Sequence, residues 1–152
     1  MLFKNILLAF DGSESSSRAS DYAIYLAHLE NATLTFIHVI DNIKQGGAIG
    51  LRARYGDVRL VKGFKKARKQ DAEKWIKPIQ DKANEKGIKT QLVIVDDESS
   101  SKVELITQYI RDNQIDLVIM GSRGLSKFKQ LLLGSIATQL ISYSTCPIMV
   151  IR

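Results

Sequence analysis

Short runs of consecutive apolar residues alternate along this chain with segments in which apolar residues recur every three or four positions. The runs predict five buried strands, and the periodic segments predict helices between them. We expect the strands at residues 3–10, 33–40, 88–95, 116–120 and 147–151. Strands that are apolar on both faces and are separated by helices indicate a parallel sheet with helices on both sides.

Residue type marks where several helices begin. The serines among residues 13–17 are candidate N-caps for a first helix, which has five apolar positions at helical spacing. Ser101 and Glu104 have the S-x-x-E spacing of a capping box, which predicts a helix after them. A last helix is expected at residues 133–143. The apolar positions are Ala19, Tyr22, Ala23, Leu26 and Leu29 in the first helix and Val103, Ile106 and Ile110 in the second.

A long basic helix is expected at residues 58–86. Gly87 has the position that a C′ glycine prefers, so the helix should end there. Pro78 lies inside the helix and is expected to kink or divide it. The apolar stripe consists of Val61, Phe64, Ala67, Ala72, Trp75, Ile76, Ile79 and Ala83.

Residues 41–57 contain four glycines and show no sustained periodicity. Such a stretch is typical of a long loop, and long loops in compact domains are often functional. We therefore expect a loop that is mobile without ligand and closes over a bound one.

The positive charge is concentrated in one part of the chain. The 152 residues have a formal net charge of +6, but residues 44–89 hold fourteen Lys or Arg and five Asp or Glu, a net charge of +9. Such a cluster is consistent with nucleic acid or anionic lipid as a partner, or with the solvated back of an amphipathic helix. We favour the solvated face. No nucleic-acid module signature accompanies the charge, and no uncharged run is long enough to span a bilayer.

Composition is near the average for globular proteins, with 45% hydrophobic and 25% charged residues, which argues against disorder or a disulfide scaffold. One domain over residues 1–152 is the simplest expectation. A single cysteine cannot form an intrachain disulfide, which suits a reducing compartment. Because no run spans a bilayer, we expect a cytoplasmic location and no membrane partner.

The segment after the fourth strand has the most unusual composition. Three glycines follow the fourth strand, at or before the start of the last helix: Gly121, Gly124 and Gly134. Ser135 comes directly after Gly134. Glycines let backbone amides approach a ligand, and a helix N-terminus favours anions. The pattern therefore predicts a phosphate site. It is neither of the two best-known phosphate loops, since G-x-x-x-x-G-K-[ST] and G-x-G-x-x-G are both absent from the sequence.

The spacing G-x-x-G-x9-G-[ST] resembles the ATP-binding signature of the universal stress protein family. The segments NILLAFDGS from Asn5, HVID from His38, IDLVIM from Ile115 and CPIMVI from Cys146 resemble that family in the same order. The resemblance covers the whole chain. It implies an open five-stranded parallel sheet of order 3-2-1-4-5, a Rossmann-like fold of the adenine nucleotide α-hydrolase type.

The resemblance also implies a set of nucleotide-binding residues and ATP as the ligand. Asp11 would lie against the ribose, and Ala9 and the backbone of Val39 would hold adenine. Arg123 and Lys127 are our own additions, since both lie in the glycine segment and their charge would offset that of the phosphates. The full candidate set is Ala9, Asp11, Val39, Met120, Gly121, Ser122, Arg123, Gly124, Lys127, Gly134, Ser135 and Ile136.

One segment departs from the family pattern. Many members have a short turn with Gly and Pro after the third strand, whereas this chain has the acidic run at residues 96–101.

Mg²⁺ would accompany a bound triphosphate, with Asp11 as its candidate ligand.

Dedicated catalysis is poorly supported. His28 and His38 have no partner at a metal-ligand spacing, and Cys146 precedes a strand in a packing position. A small regulatory nucleotide-binding module in the stress response is expected. The alternatives are a slow ATPase or nucleotide-dependent hydrolase, and a partner-binding protein that has lost nucleotide.

The last strand predicts a homodimer. The strand order implied by the resemblance makes residues 148–151 an apolar edge without a charge. An open apolar edge invites pairing with a second chain, so we expect a two-fold dimer through this strand.

Overall fold

Five strands form a parallel sheet in the computed structural model, which describes residues 1–42, 47–123 and 133–152. Their spatial order confirms the predicted order 3-2-1-4-5. From one edge to the other they are β3 (Thr90–Val95), β2 (Thr33–Val39), β1 (Asn5–Ala9), β4 (Leu117–Gly121) and β5 (Ile148–Ile151). All four pairings are parallel, and the order reverses between β1 and β4.

Helices cover both faces of this sheet. They are α1 (Glu14–Glu30), α2 (Gly47–Arg54), α3 (Val58–Glu85), α4 (Lys102–Asp112) and α5 (Ser135–Tyr143). None of the helices in the described ranges is long and apolar enough to cross a membrane.

Alternate residues of the central strand enter two separate cores, because successive side chains of a strand point to opposite faces. Ile6 and Leu8 of β1 pack into the core that α1 and α3 cover, whereas Leu7 packs into the core that α4 and α5 cover. All three are fully buried. A strand buried on both sides explains why its sequence is an uninterrupted apolar run.

The helix ends follow the predicted caps. Ser13 caps α1 by accepting a hydrogen bond from the backbone N–H of Ser16. Ser101 and Glu104 form both halves of the capping box of α4. Gly87 follows α3 with a φ of +75°, the left-handed conformation in which glycine is favoured.

Part of the expected loop at 41–57 is helical instead, since residues 47–54 form α2. Glycine has a low helix propensity, so the pattern predicts no helix here. Gly50 and Ala53 are two small residues of α2 that are buried. Residues 43–46 lie outside the described ranges.

Two of the five apolar positions of α1 lie outside the core. Tyr22 and Leu29 are 51% and 65% exposed. The helix packs on the sheet through the small residues Ala19, Ala23 and Ala27, which are fully buried. Small side chains bring the helix close to the sheet and leave the larger ones outside the contact.

The expected division of the basic helix at Pro78 is also wrong, since α3 is one helix from Val58 to Glu85. Pro78 itself is exposed, and the buried residues Ala72, Ile76 and Ala83 hold the helix on the sheet on either side of it. Ala67, expected in the apolar stripe, is exposed.

Candidate functional site

A cavity of about 510 Å³ opens at the carboxyl ends of β1 and β4. This is where the strand order reverses, the position at which open α/β sheets bind ligands. Its lining residues are Ala9, Phe10, Asp11, Ile37, His38, Val39, Asp41, Arg68, Trp75, Lys102, Ile106, Met120, Gly121, Ser122, Arg123, Gly134, Ser135, Ile136 and Ala137.

The turn from β1 to α1 fixes a carboxylate at this cavity. Asp11 Oδ1 accepts a hydrogen bond of 3.0 Å from the backbone N–H of Ser13. Gly12 between them has a φ of +81°, and a Cβ there would lie 2.9 Å from the ring of Trp75. The turn therefore requires glycine for two reasons, its backbone conformation and the lack of space beside the indole.

Serines of α1 hold the end of β4. Ser15 Oγ donates to the carbonyl oxygen of Arg123 at 2.6 Å and accepts from its N–H at 3.4 Å. Ser13 Oγ also donates to that carbonyl, at 3.1 Å. These bonds fix the start of the predicted glycine segment to the first turn of α1.

The far end of the same segment is fixed as well. The N–H of Gly134 donates to the carbonyl oxygen of Ser122 at 2.7 Å, and the N–H of Ser122 donates to the carbonyl oxygen of Ile151 at 2.6 Å. Residues 123 and 134 are therefore both anchored next to β4, on either side of residues 124–132, which lie outside the described ranges.

The first turn of α5 faces the cavity without a side-chain cap. Gly134 is its N-cap residue and supplies no capping side chain. The first intrahelical bond is donated by Thr138, so the backbone N–H groups of Ser135, Ile136 and Ala137 have no partner within the helix. All three residues line the cavity. An uncapped helix start presents donors and the positive end of the helix dipole, which together favour an anion.

The long basic helix supplies part of the cavity wall, which the sequence did not predict. Trp75 is 37% exposed, and its ring meets that of His38 edge-on, with centroids 6.0 Å apart. His38 Nδ1 lies 2.8 Å from the carbonyl oxygen of Phe10. Two turns nearer the helix start, Arg68 lies over the ring of Phe64, with its guanidinium carbon 5.1 Å from the ring centroid, and lines the cavity.

Helical periodicity places Trp75 in the apolar stripe, and periodicity alone could not separate that role from a place in the cavity wall. The feature of the sequence that could have indicated this role is the position of Trp75 among basic residues. A large aromatic side chain at the border between the buried and the solvated face of a helix lies at the rim of the contact between helix and sheet.

Two lysines form three ion pairs with residues that follow β2 and β3, and only the first of these pairs lines the cavity. Lys102, at the start of α4, pairs with Asp41, just beyond the end of β2. Lys65 of α3 pairs with Asp96 at 2.9 Å and with Glu98 at 3.4 Å. The hydrogen bond from Lys65 to Asp96 raises the pKa of Lys65 above its usual value. The acidic run that departs from the family pattern is thus in contact with α3.

The cavity brings together ten of the twelve predicted site residues: Ala9, Asp11, Val39, Met120, Gly121, Ser122, Arg123, Gly134, Ser135 and Ile136. The other two, Gly124 and Lys127, lie outside the described residues. Within the described part of the chain, no group of three His, Cys, Asp or Glu is arranged to hold a metal ion.

Comparisons with known proteins agree on one family. The profile of the universal stress protein family matches residues 2–152. Universal stress protein YxiE of Bacillus subtilis is 27% identical over 151 residues, which are 99% of this chain and 100% of that protein. Universal stress protein UspA from Lactobacillus plantarum has a similar structure, with a TM-score of 0.79 at 21% identity over 100% of this chain and 99% of that one.

Three further similar structures are described with adenine nucleotides. A universal stress protein in complex with cAMP has a TM-score of 0.62 at 21% identity, covering 100% of this chain and 98% of that one. One from Archaeoglobus fulgidus in complex with dAMP has a TM-score of 0.68 at 14% identity, covering 100% of both. One from Arabidopsis thaliana with AMP bound has a TM-score of 0.66 at 17% identity, covering 97% and 90%. At these identities the likeness shows the fold.

Proposed function

Since this chain belongs to the universal stress protein family, we propose that the cavity at the ends of β1 and β4 binds an adenine nucleotide, with ATP as the expected ligand. The proposal rests on one observation: the carboxylate of Asp11, the glycine end of β4 and the uncapped first turn of α5 meet at one cavity. Similar proteins described with AMP, cAMP and dAMP support the choice of adenine.

Each part of the cavity suits one part of such a ligand. The N–H groups at the start of α5, with Gly134, Ser135 and Ile136, would hold phosphate oxygens. The carboxylate of Asp11 would accept hydrogen bonds from ribose hydroxyls. An apolar wall suits the base, and it is formed by Ala9, Ile37, Val39, Ile106 and Met120.

Charge at the cavity is suited to an anionic ligand. Arg68 and Arg123 line it, and of its two carboxylates Asp41 is already paired with Lys102. Asp11 is therefore the carboxylate proposed to face a Mg²⁺ ion bound with a triphosphate. Such an ion would supply positive charge beside the phosphate oxygens.

We propose a regulatory binding module of the stress response in preference to an ATPase. The imidazole of the cavity, His38, donates from Nδ1 to the Phe10 carbonyl, so Nε2 is its one basic atom, on a ring that is 9% exposed and packed edge-on against Trp75. A general base needs a free basic atom within reach of the attacking water. Phosphate release at or below the rate without protein would support binding alone, and saturable release would favour the slow ATPase.

The edge position of β5 supports a homodimer through this strand. Its residues are only partly buried, and a second copy would pair with its open backbone groups.

Calorimetric titration of the full chain with ATP, ADP, AMP and GTP tests nucleotide binding. We expect one adenine nucleotide per chain and weaker binding of GTP. Asp11→Asn keeps an acceptor for the Ser13 N–H but removes the charge, and it should weaken binding. Asp21→Asn is the matched control, since Asp21 is exposed on α1 and pairs with Lys82. Equal affinities for ATP and GTP, or an unaffected Asp11→Asn variant, would contradict the assignment.

A further inference from the structure

The corner formed by α2 and the first three turns of α3, residues 47–69, exposes several large apolar side chains. Ile49 and Leu51 are each 53% exposed, Val58 is 60% exposed and Tyr55 is 84% exposed. Four such side chains within ten residues form a cluster, whereas exposed apolar residues on a monomer are usually scattered singly. A shallow recess of about 330 Å³, lined in part by Leu51 and Tyr55, lies at this α2–α3 corner.

The same corner is strongly basic. Residues 47–69 hold eight Lys or Arg and one acidic residue, Asp57. Asp57 is engaged locally, because it caps α3 by accepting from Leu60 N–H at 3.1 Å and pairs with Arg52 at 2.7 Å. No other acidic residue lies in the corner, although Lys65 pairs with Asp96 and Glu98, and Arg68 with Asp71, all of which lie outside it.

Four of these cations point away from the molecule on one face of α3. Arg59, Lys62, Lys66 and Lys69 are exposed and have the i, i+3, i+7, i+10 spacing that places residues on one side of a helix. Like charges at this spacing repel each other. An anionic surface beside them would remove that repulsion, which makes the face complementary to a polyanion.

We propose that the α2–α3 corner binds the surface of an anionic lipid bilayer. Lysines and arginines attract acidic headgroups, and apolar side chains beside them enter the boundary between headgroups and acyl chains. A tyrosine at such a boundary buries its ring and keeps its hydroxyl in water. Nucleic acid would satisfy the charges as well, but it offers no apolar environment for Ile49, Leu51 and Val58.

This proposal revises the expectation of no membrane partner. That expectation rests on the lack of a spanning segment and on interpreting the basic cluster as a solvated helix face, whereas binding to a bilayer surface needs no spanning helix. The α2–α3 corner is also independent of the proposed nucleotide site, because Arg68 alone among its residues lines the cavity, and Arg68 is not one of the four outward cations.

Co-sedimentation of the full chain with vesicles tests the proposal. Vesicles of phosphatidylcholine with 30% phosphatidylserine are compared with phosphatidylcholine alone, and we expect binding to the first only, weakening as salt is raised. Arg59→Gln with Lys62→Gln should weaken binding roughly thirtyfold. Leu51→Ser with Tyr55→Ser should weaken it by a similar or larger factor, because the apolar contact is lost.

Matched control variants show whether binding depends on where the cations and apolar side chains lie or only on the total charge of the protein. Lys86→Gln with Lys89→Gln removes two exposed cations beyond the other end of α3, and Leu29→Ser removes an exposed apolar side chain on α1. Both should bind vesicles like the parent, and thermal unfolding confirms that each variant is folded. Equal binding to neutral vesicles, equal loss in the control pair, or unchanged binding by the Leu51 and Tyr55 variant would overturn the proposal. Binding of a labelled 20-nucleotide RNA without binding of anionic vesicles would also overturn the proposal and would identify nucleic acid as the partner.

Discussion

The backbone of Gly121, at the end of β4, lies directly against Ser15 in the first turn of α1. A Cβ atom on Gly121 would be 2.3 Å from Ser15 Oγ and 2.7 Å from the Ser15 carbonyl carbon. Real Cβ atoms do not approach other atoms so closely. The first glycine of the G-x-x-G-x9-G-[ST] pattern is therefore required by packing between a strand and a helix, in addition to any role toward a ligand.

Gly121→Ala should destabilise the protein by roughly 1–3 kcal/mol, the usual cost of overpacking a close contact. The nearest atoms include backbone of α1, so relaxation must move the helix start and with it the turn that carries Asp11. Urea unfolding measures the loss. Gly63→Ala is the matched control, because a Cβ on this exposed residue of α3 meets nothing within 4 Å. It should raise stability by up to about 1 kcal/mol, and an equal loss in both variants would contradict the packing explanation.

Ser15→Ala should cost about 1 kcal/mol of stability, since it removes the shorter of the two hydrogen bonds that hold the Arg123 carbonyl. It should not rescue Gly121→Ala, because Ser16 N, like the Ser15 carbonyl carbon, remains 2.7 Å from the added Cβ. Unfolding of the two single variants and the double variant measures this coupling. Ser142→Ala, at an exposed position of α5, removes a comparable hydroxyl and serves as control. A double variant as stable as Ser15→Ala alone would show that only the hydroxyl causes the clash.

The capping box of α4 should make stability depend on pH in the acid range. The backbone N–H of Ser101 donates to Glu104, which lowers the pKa of this carboxyl in the folded state. Its contribution is present above the unfolded-state pKa and is lost as the pH falls through the lower folded-state pKa. Glu104→Ala should therefore destabilise the protein at pH 7 and have less effect near pH 3. Exposed Glu73 of α3 supplies the control Glu73→Ala, and a pH-independent effect of Glu104→Ala would contradict the prediction.

Val150→Lys should disrupt the proposed dimer, because it adds a charge in the middle of the edge strand β5. Sedimentation velocity should show a dimer for the parent at micromolar concentration and a shift to monomer for the variant. Gln91→Lys adds the same charge to β3, the opposite edge of the sheet, and should leave the dimer intact. Circular dichroism establishes that both variants are folded, and a parent chain that sediments as a monomer would refute the dimer.

The sheet was predictable because its strands are apolar on both faces. A short uninterrupted apolar run, such as the one that contains residues 6–8, is typical of a strand buried in a parallel sheet. The strand order came from the resemblance to a known family. The cavity residues on strand ends, such as Ala9 and Met120, came from the same resemblance.

The features that the sequence did not predict are those that depend on how the helices pack against the sheet. Tyr22 and Leu29 have the spacing of core residues, yet the alanines of α1 make the contact and leave them exposed. Trp75 has the same spacing and lies between core and cavity. Spacing defines the face of a helix, whereas the sizes of all the side chains on that face decide which of them are buried.

Trp75 is the only tryptophan of the chain and lines the cavity, so its fluorescence tests the central claim most directly. Titration of the full chain with ATP should change the Trp75 emission saturably, with the same midpoint as calorimetry, and Asp11→Asn should shift both midpoints to higher concentration. The parent chain should give no comparable change with GTP at the same concentrations. ATP binding that saturates in calorimetry without any change in Trp75 emission would place the nucleotide elsewhere, and no binding at millimolar ATP, ADP or AMP would contradict the proposed function itself.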